Sequence, residues 1–168
     1  MAIRNIVKLG DEILTKKCRE VKEINDRIIC LLDDMTETLK AANGVGLAAP
    51  QVGVLKRVAV VDTGDTVLEL INPEIIYTEG EQTDAEGCLS YPGRYGLVTR
   101  PKIVKIRATD RNGAVYEYTG EDLVARAFCH EIDHLDGHFF TELVTEWLET
   151  EYKIRAITKV MALYNLQN

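Results

Sequence analysis

The sequence predicts an α+β fold made as a single domain, and three observations carry that reading. Strand-like runs cluster in the middle of the chain, helical periodicity frames them, and no linker, repeat or low-complexity tract divides the 168 residues. A chain of that length buries a sizeable core as one unit, so residues 1–168 are expected to form one domain.

In chain order, residues 1–24 read as an extended arm with short ordered pieces. Asn25 is placed to cap a helix in which Ile28, Leu31, Leu32, Met35 and Leu39 recur at helical spacing. Cys30 inside it reads as small core or boundary filler, and Asn43-Gly44 as a left-handed exit. The stretch from Gly44 to Gln51 is small, nearly uncharged and glycine-rich. It suits either a flexible connector or an edge along which an extended peptide lies down. Strands are expected over residues 57–62, 67–72 and 74–78, the last beginning after Pro73. Glu86-Gly87-Cys88-Leu89-Ser90 is expected to interrupt the strand pattern. Residues 102–109 alternate apolar and polar, and Asp110-Arg111-Asn112-Gly113 reads as a hairpin turn into residues 115–118. Residues 121–135 read as a second helix, with Thr119 as its cap and Gly137 past its end. A final amphipathic helix over residues 145–166 carries Leu148, Tyr152, Ile154, Ile157, Val160, Met161 and Tyr164 toward the core.

Composition excludes several classes. A net charge of −7 argues against a nucleic-acid binder, which needs a basic face. Four cysteines at positions 18, 30, 88 and 129 show no tight pairing and read as thiols of a reducing compartment. The N-terminus lacks the apolar run of a signal peptide, and no stretch approaches the roughly 20 residues that span a bilayer. A cytoplasmic location without membrane binding is the expectation.

The chemistry centres on His130-Glu131-Ile132-Asp133-His134. Residues four apart on a helix share a face, so two imidazoles here can grip one metal ion. Glu131, about 100° round the axis, can reach water at that ion without being a ligand. Two histidines four apart are often mere surface decoration, but this chain has only three in all, and two fall at ligand spacing. For the third ligand, His138 is expected to swing away after Gly137, and a longer zinc-protease pattern would place its last ligand at Phe140. Cys129 points off another side of the helix. Spacing alone leaves Glu149 or Glu151 open. Cys88 is the strongest choice on chemical grounds, because its thiolate completes a Cys-His-His set with one position free for water, with zinc or ferrous iron. The Leu89 N–H beside it can then face the oxygen of a reacting carbonyl.

Three motifs, Gly44-Val45-Gly46-Leu47-Ala48-Ala49-Pro50-Gln51, Glu86-Gly87-Cys88-Leu89-Ser90 and His130-Glu131-Ile132-Asp133-His134-Leu135-Asp136-Gly137, resemble in order and spacing those of the peptide deformylase family. The resemblance covers essentially the whole chain. It implies antiparallel or mixed sheets around a central motif helix, with an N-terminal-half helix and a C-terminal helix. It further implies hydrolysis of the formyl group from the formyl-methionine of new polypeptides, with release of formate.

By the same resemblance one divalent metal is held by Cys88, His130 and His134. Ferrous iron is the expected ion in the cell, and zinc, nickel or cobalt can take its place. Glu131 becomes the proton shuttle, while the Leu89 N–H and the Gln51 side-chain amide hold the oxyanion. The backbone of Gly44, Val45 and Gly46 would pair with the substrate chain, and Leu123 and Ala127 would side the methionine pocket. Glu86 is expected to pair with Arg100, and Asp133 to orient a group behind the ligands. Nascent formylmethionyl chains are the expected partners, with a contact at the ribosome exit site and a monomeric or weakly dimeric state. The chain departs from the usual pattern at Cys129, where glutamine is usual and a second oxidisable thiol results, and at Tyr91 and Thr141. A small metallo-endopeptidase and a catalytically idle relative that binds N-termini are the alternatives.

Overall fold

Residues 2–149 are described in a computed structural model. The first helix, α1 (Asp26–Ala41), begins as its cap predicts: Asn25 Oδ1 accepts from the N–H groups of Arg27 and Ile28 at 3.2 and 3.3 Å. Its apolar stripe of Ile28, Leu31, Leu32, Met35 and Leu39 is buried. Cys30 is exposed, because it lies off that stripe, and it fills no core. The N-terminal arm is clamped onto α1. Asp34 accepts from Ala2 N at 2.7 Å and from Arg4 Nε at 3.0 Å, and the Thr38 hydroxyl accepts from Arg4 N at 2.9 Å. Replacing Asn25 with alanine is expected to cost about 1 kcal/mol of stability by leaving two N–H groups uncapped. A denaturant midpoint that does not move would count against the cap.

Eight strands follow among the described residues: β1 (Gly46–Ala48), β2 (Val58–Asp62), β3 (Val67–Glu79), β4 (Gln82–Cys88), β5 (Tyr91–Arg100), β6 (Ile103–Thr109), β7 (Val115–Glu121) and β8 (Glu146–Leu148). They form two antiparallel sheets, one ordered β1-β2-β3-β6-β7 and one ordered β4-β5-β8. The second helix, α2 (Asp122–Asp136), packs against the larger sheet on the face opposite α1. Strand β2 shows why both faces must be covered. Val58 and Val60 join the α1 residues, whereas Ala59 and Val61 join Phe128, Ile132 and Leu135 of α2. The observed fold is thus the predicted α+β class.

Several boundaries differ from expectation. Pro73 does not separate two strands: β3 runs through it, and register shifts against β6 between Ile71 and Glu74 and between Ile75 and Tyr77 absorb the missing N–H. Glu86-Gly87-Cys88 is not an interruption but the end of β4, and Leu89-Ser90 turns the chain into β5. Its inward position is held by buried Glu86, so the apolar alternation that marks a strand is absent there. Gly87 is required because a Cβ would lie 2.7 Å from Tyr95 Cδ1. Thr119 belongs to β7 and caps nothing. That strand runs straight into α2, whose cap position is Glu121 without a side-chain bond. Gly137 does end α2 in the left-handed conformation, with φ of 83°. Of the C-terminal helix expected over residues 145–166, residues 146–148 instead form β8 against β5, and everything beyond 149 lies outside the described residues. No described helix is long and apolar enough to cross a membrane.

Candidate metal centre

Helix α2 carries His130, Glu131 and His134, and the end of β4 brings Cys88 to them across the interior. Cys88 Sγ lies 3.2 Å from His134 Nε2, and the donor atoms of Cys88, His130 and His134 all fall within 4.8 Å of one another. The two imidazole rings stand 4.8 Å apart at 80°. Phe139 meets the His134 ring at 5.1 Å and Phe140 the His130 ring at 5.8 Å, giving the site an aromatic wall. The other candidates are elsewhere. His138 pairs with exposed Glu142 at 3.1 Å, Glu149 is exposed and joins no donor cluster, and Glu151 lies outside the described residues.

Electrostatics set the protonation states. His130 Nδ1 lies 2.8 Å from Glu86 Oε1. Burial alone would raise the Glu86 carboxyl, but hydrogen bonds from His130 and Arg100 override it and hold the group at about 2. Glu86 is therefore an acceptor and Nδ1–H donates to it. Burial would lower His130, but its hydrogen bonds with Cys88 and Glu86 hold it well above its ordinary value, so Nε2 gives up a proton when it takes a metal. Burial pushes His134 well below its usual value, which keeps it neutral. Burial also pushes Glu131 up to about 7. Cys129 is buried as well, and its thiol is pushed up to about 11, so the second thiol near the site stays protonated rather than readily oxidised.

Among the described residues, the buried side-chain polar atoms without a hydrogen-bond partner are Glu131 Oε2 and His134 Nδ1. Both belong to residues of this cluster; His134 turns its Nε2, not its Nδ1, to Cys88, so it is Glu131 Oε2 that is left open beside the donors. A cysteine sulfur and two imidazole nitrogens gathered within 4.8 Å form a donor set suited to a divalent transition metal. The residues present fit such an ion.

The glycine-rich stretch reaches the same place. Strand β1 is an edge strand, paired on one side with β2 through Gly46, Leu47 and Ala48. A Cβ on Gly44 would lie 2.8 Å from Leu39 Cδ1 and from Leu89 Cδ1. One on Gly46 would lie 2.7 Å from the Glu131 carboxyl carbon and closer still to its Oε1. Gly46→Ala is accordingly expected to push Glu131 aside and cut turnover about 100-fold with little loss of stability. Near-parental turnover in a well-folded variant would show that the carboxylate tolerates the shift.

Gln51 is buried in the 3-10 turn Ala49–Val52, where its Oε1 accepts from Ala48 N at 2.8 Å. Its Nε2 donates to Ser90 Oγ at 3.1 Å and faces Cys88 Sγ at 3.4 Å. Ser90 N also donates to that sulfur at 3.4 Å, a contact that sequence reasoning missed and that only the turn between β4 and β5 creates. Leu89 packs against the α1 side of the core, and its carbonyl accepts from Lys8 Nζ at 2.9 Å. Of the two residues expected to side a pocket, Leu123 is half-buried, whereas Ala127 is buried in the core cluster with Phe128.

Behind the Cys88, His130 and His134 cluster lies a buried charge network. Glu86 binds Arg100 through both carboxylate oxygens, at 2.8 and 3.2 Å, and Arg100 Nη1 reaches Asp133 Oδ2 at 2.6 Å. The expected Glu86–Arg100 pair is therefore interior rather than superficial. Arg126, which sequence reasoning passed over, adds a second guanidinium 3.0 Å from Glu86 Oε2.

The family model for polypeptide deformylase matches residues 3–149 of the chain. A curated peptide deformylase of Caldanaerobacter subterraneus subsp. tengcongensis is 58% identical over 151 residues, 90% of this chain and 95% of that one. The crystal structure of a peptide deformylase from Legionella pneumophila is 40% identical, covers 99% of this chain and 98% of its own, and superposes with a TM-score of 0.83. That of the Thermotoga maritima enzyme gives 0.83 at 34% identity, over 86% of this chain and 99% of its own.

Proposed function

We propose, from the premise that this chain belongs to the polypeptide deformylase family, that it is a metal-dependent hydrolase working through the Cys88, His130 and His134 cluster on N-terminal formyl groups. The observation that carries the mechanism is Glu131, a buried carboxylate with a free oxygen beside three metal donors.

Cys88, His130 and His134 hold one divalent ion, ferrous iron in the cell, with zinc, nickel or cobalt as substitutes. When bound, it supplies Lewis acidity toward the formyl carbonyl and the attacking water. Glu131 takes the proton of the attacking water at Oε2 and returns it to the nitrogen of the departing amine, so that water and the N-formyl peptide become formate and a free N-terminus. The Leu89 N–H and the Gln51 amide donate to the carbonyl oxygen as charge develops on it. Gly44, Val45 and Gly46 offer the open edge of β1 to the substrate's main chain, and Leu123 and Ala127 side the methionine pocket. Phe139 and Phe140 exclude bulk water from the imidazoles. The enzyme acts in the cytoplasm, as a monomer or weak dimer, on formylmethionyl chains leaving the ribosome exit site.

The test is formate release from a short formyl-methionyl peptide by protein loaded anaerobically with ferrous iron. Activity in the parent and its loss, with the metal, in Cys88→Ala is the expected result. A folded, metal-loaded parent that releases no formate overturns the proposal. Cleavage of unformylated internal amides would favour an endopeptidase, and binding without turnover an idle relative.

A further inference from the structure

We infer that Arg126 is a positioning residue of the metal centre: its buried guanidinium fixes the Glu86 carboxylate, which in turn orients His130. The inference rests on the metal-binding reading above. Arg126 sits four residues before His130 on α2, one turn away on the same face. It is 5% exposed. Its Nη2 donates to Val98 O at 2.9 Å, Glu86 Oε2 at 3.0 Å and Asp84 O at 3.1 Å, and Nη1 reaches Gln82 O at 3.5 Å. One side chain thus ties the helix of the ligands to β4, the strand that delivers Cys88, and to β5 beside it.

The two oxygens of Glu86 divide their donors. Oε1 faces His130 Nδ1 and Arg100 Nη2, both at 2.8 Å, whereas Oε2 faces Arg126 Nη2 at 3.0 Å and Arg100 Nε at 3.2 Å. Arg100 forks onto both oxygens through Nε and Nη2, and its remaining Nη1 reaches Asp133 on the outer, partly exposed side. Arg126 adds a second donor to the far oxygen and anchors it to the strand carbonyls of Asp84 and Val98, so the carboxylate is held from α2 as well as from β5 with its Oε1 aimed at His130. Carboxylates face both guanidiniums: Glu86 and Asp133 face Arg100, and Glu86 and Asp84 face Arg126. A buried guanidinium is costly to desolvate, and an apolar side chain would fill the same space more cheaply if packing were its only task. The carboxylate behind a ligating histidine fixes ring tautomer and direction, and losing such a partner typically weakens metal binding 10–100-fold. Arg126 acts one step further out, through that carboxylate.

The test reads the metal rather than turnover. Metal-free parent, Arg126→Met and Arg126→Lys are titrated with zinc against a chromophoric chelator, and the cobalt-loaded proteins are compared by their visible absorption. Circular dichroism and thermal melting of the metal-free forms report folding. The expected result is a 10-fold or greater loss of zinc affinity in Arg126→Met with an altered cobalt spectrum, and partial recovery in Arg126→Lys, which keeps one donor for Glu86 but loses the fork. A folded Arg126→Met that binds zinc as tightly as the parent, with the parent's cobalt spectrum, overturns the inference even if its melting temperature has fallen. Should Arg126→Met not fold, Arg126→Lys decides: affinity lowered several-fold supports the positioning role, and unchanged affinity removes it. A parent that takes up no metal defeats the metal-binding reading itself, and the inference falls with it.

Discussion

Glu131→Gln is expected to lower kcat by about 10²–10⁴-fold while leaving the metal in place and KM close to the parent's. The substitution keeps the shape of the side chain and removes its ability to accept a proton. Glu131 is buried on α2 between His130 and His134, with Gly46 pressed against its carboxyl group. Oε2 has no hydrogen-bond partner among the described residues, which leaves it free for the proton it must carry. Burial raises the carboxyl to about 7 in the metal-free protein, near the pH at which a shuttle works best. The histidines and Cys88 do not depend on Glu131 for their contacts, so metal content should hold. Steady-state kinetics with metal analysis of the same sample checks both halves. A metal-loaded Glu131→Gln that keeps a tenth or more of parental kcat would remove the proton-shuttle role.

Much of this site was readable from spacing, and the reasons for the gaps are physical. Ligands on one helix announce themselves because helical periodicity is local, so His130 and His134 were legible together. Cys88 was legible only by its chemistry, since the approach of β4 to α2 is a long-range event with no local signature. The α1 stripe and the Asp110–Gly113 turn follow local rules and formed as expected. Strand β4 was misread because its inward side chain is a carboxylate, so an apolar-alternation test rejects a strand that burial and pairing both support. Arg126 was passed over for the same reason. A charge on a helix normally reads as a solvated face, and only the tertiary placement of Glu86 and the strand carbonyls makes its burial favourable. Polar interiors are where periodicity stops informing, and here they are also where the chemistry is.

The same interior makes Glu86 the residue whose loss should cost most in stability. Glu86→Gln is expected to destabilise the metal-free protein by about 3–5 kcal/mol at neutral pH, the range for breaking a buried ion pair by removing one partner. Two guanidiniums, Arg100 and Arg126, converge on this one carboxylate, and no other carboxylate is hydrogen-bonded to both of them among the described residues. Glutamine keeps the volume, so the effect reads charge and hydrogen bonding rather than a cavity. The pH dependence gives an internal check. Glu86 is held at about 2 in the folded protein against an ordinary carboxyl value of 4.5. A depressed carboxyl contributes stability that is fully present above the unfolded value and lost as pH falls through the folded one. The gap in unfolding free energy between parent and Glu86→Gln should therefore be widest above about pH 5 and shrink progressively toward pH 2. Denaturant unfolding of both metal-free proteins at neutral pH and near pH 3 measures it. A gap that stays constant over that range would show that the charge of Glu86 contributes nothing and that its shape alone is needed. A gap that narrows as expected would assign the stabilisation to the ionised carboxylate that also directs His130, so that the group orienting the ligand and the group holding α2 to β4 and β5 are the same.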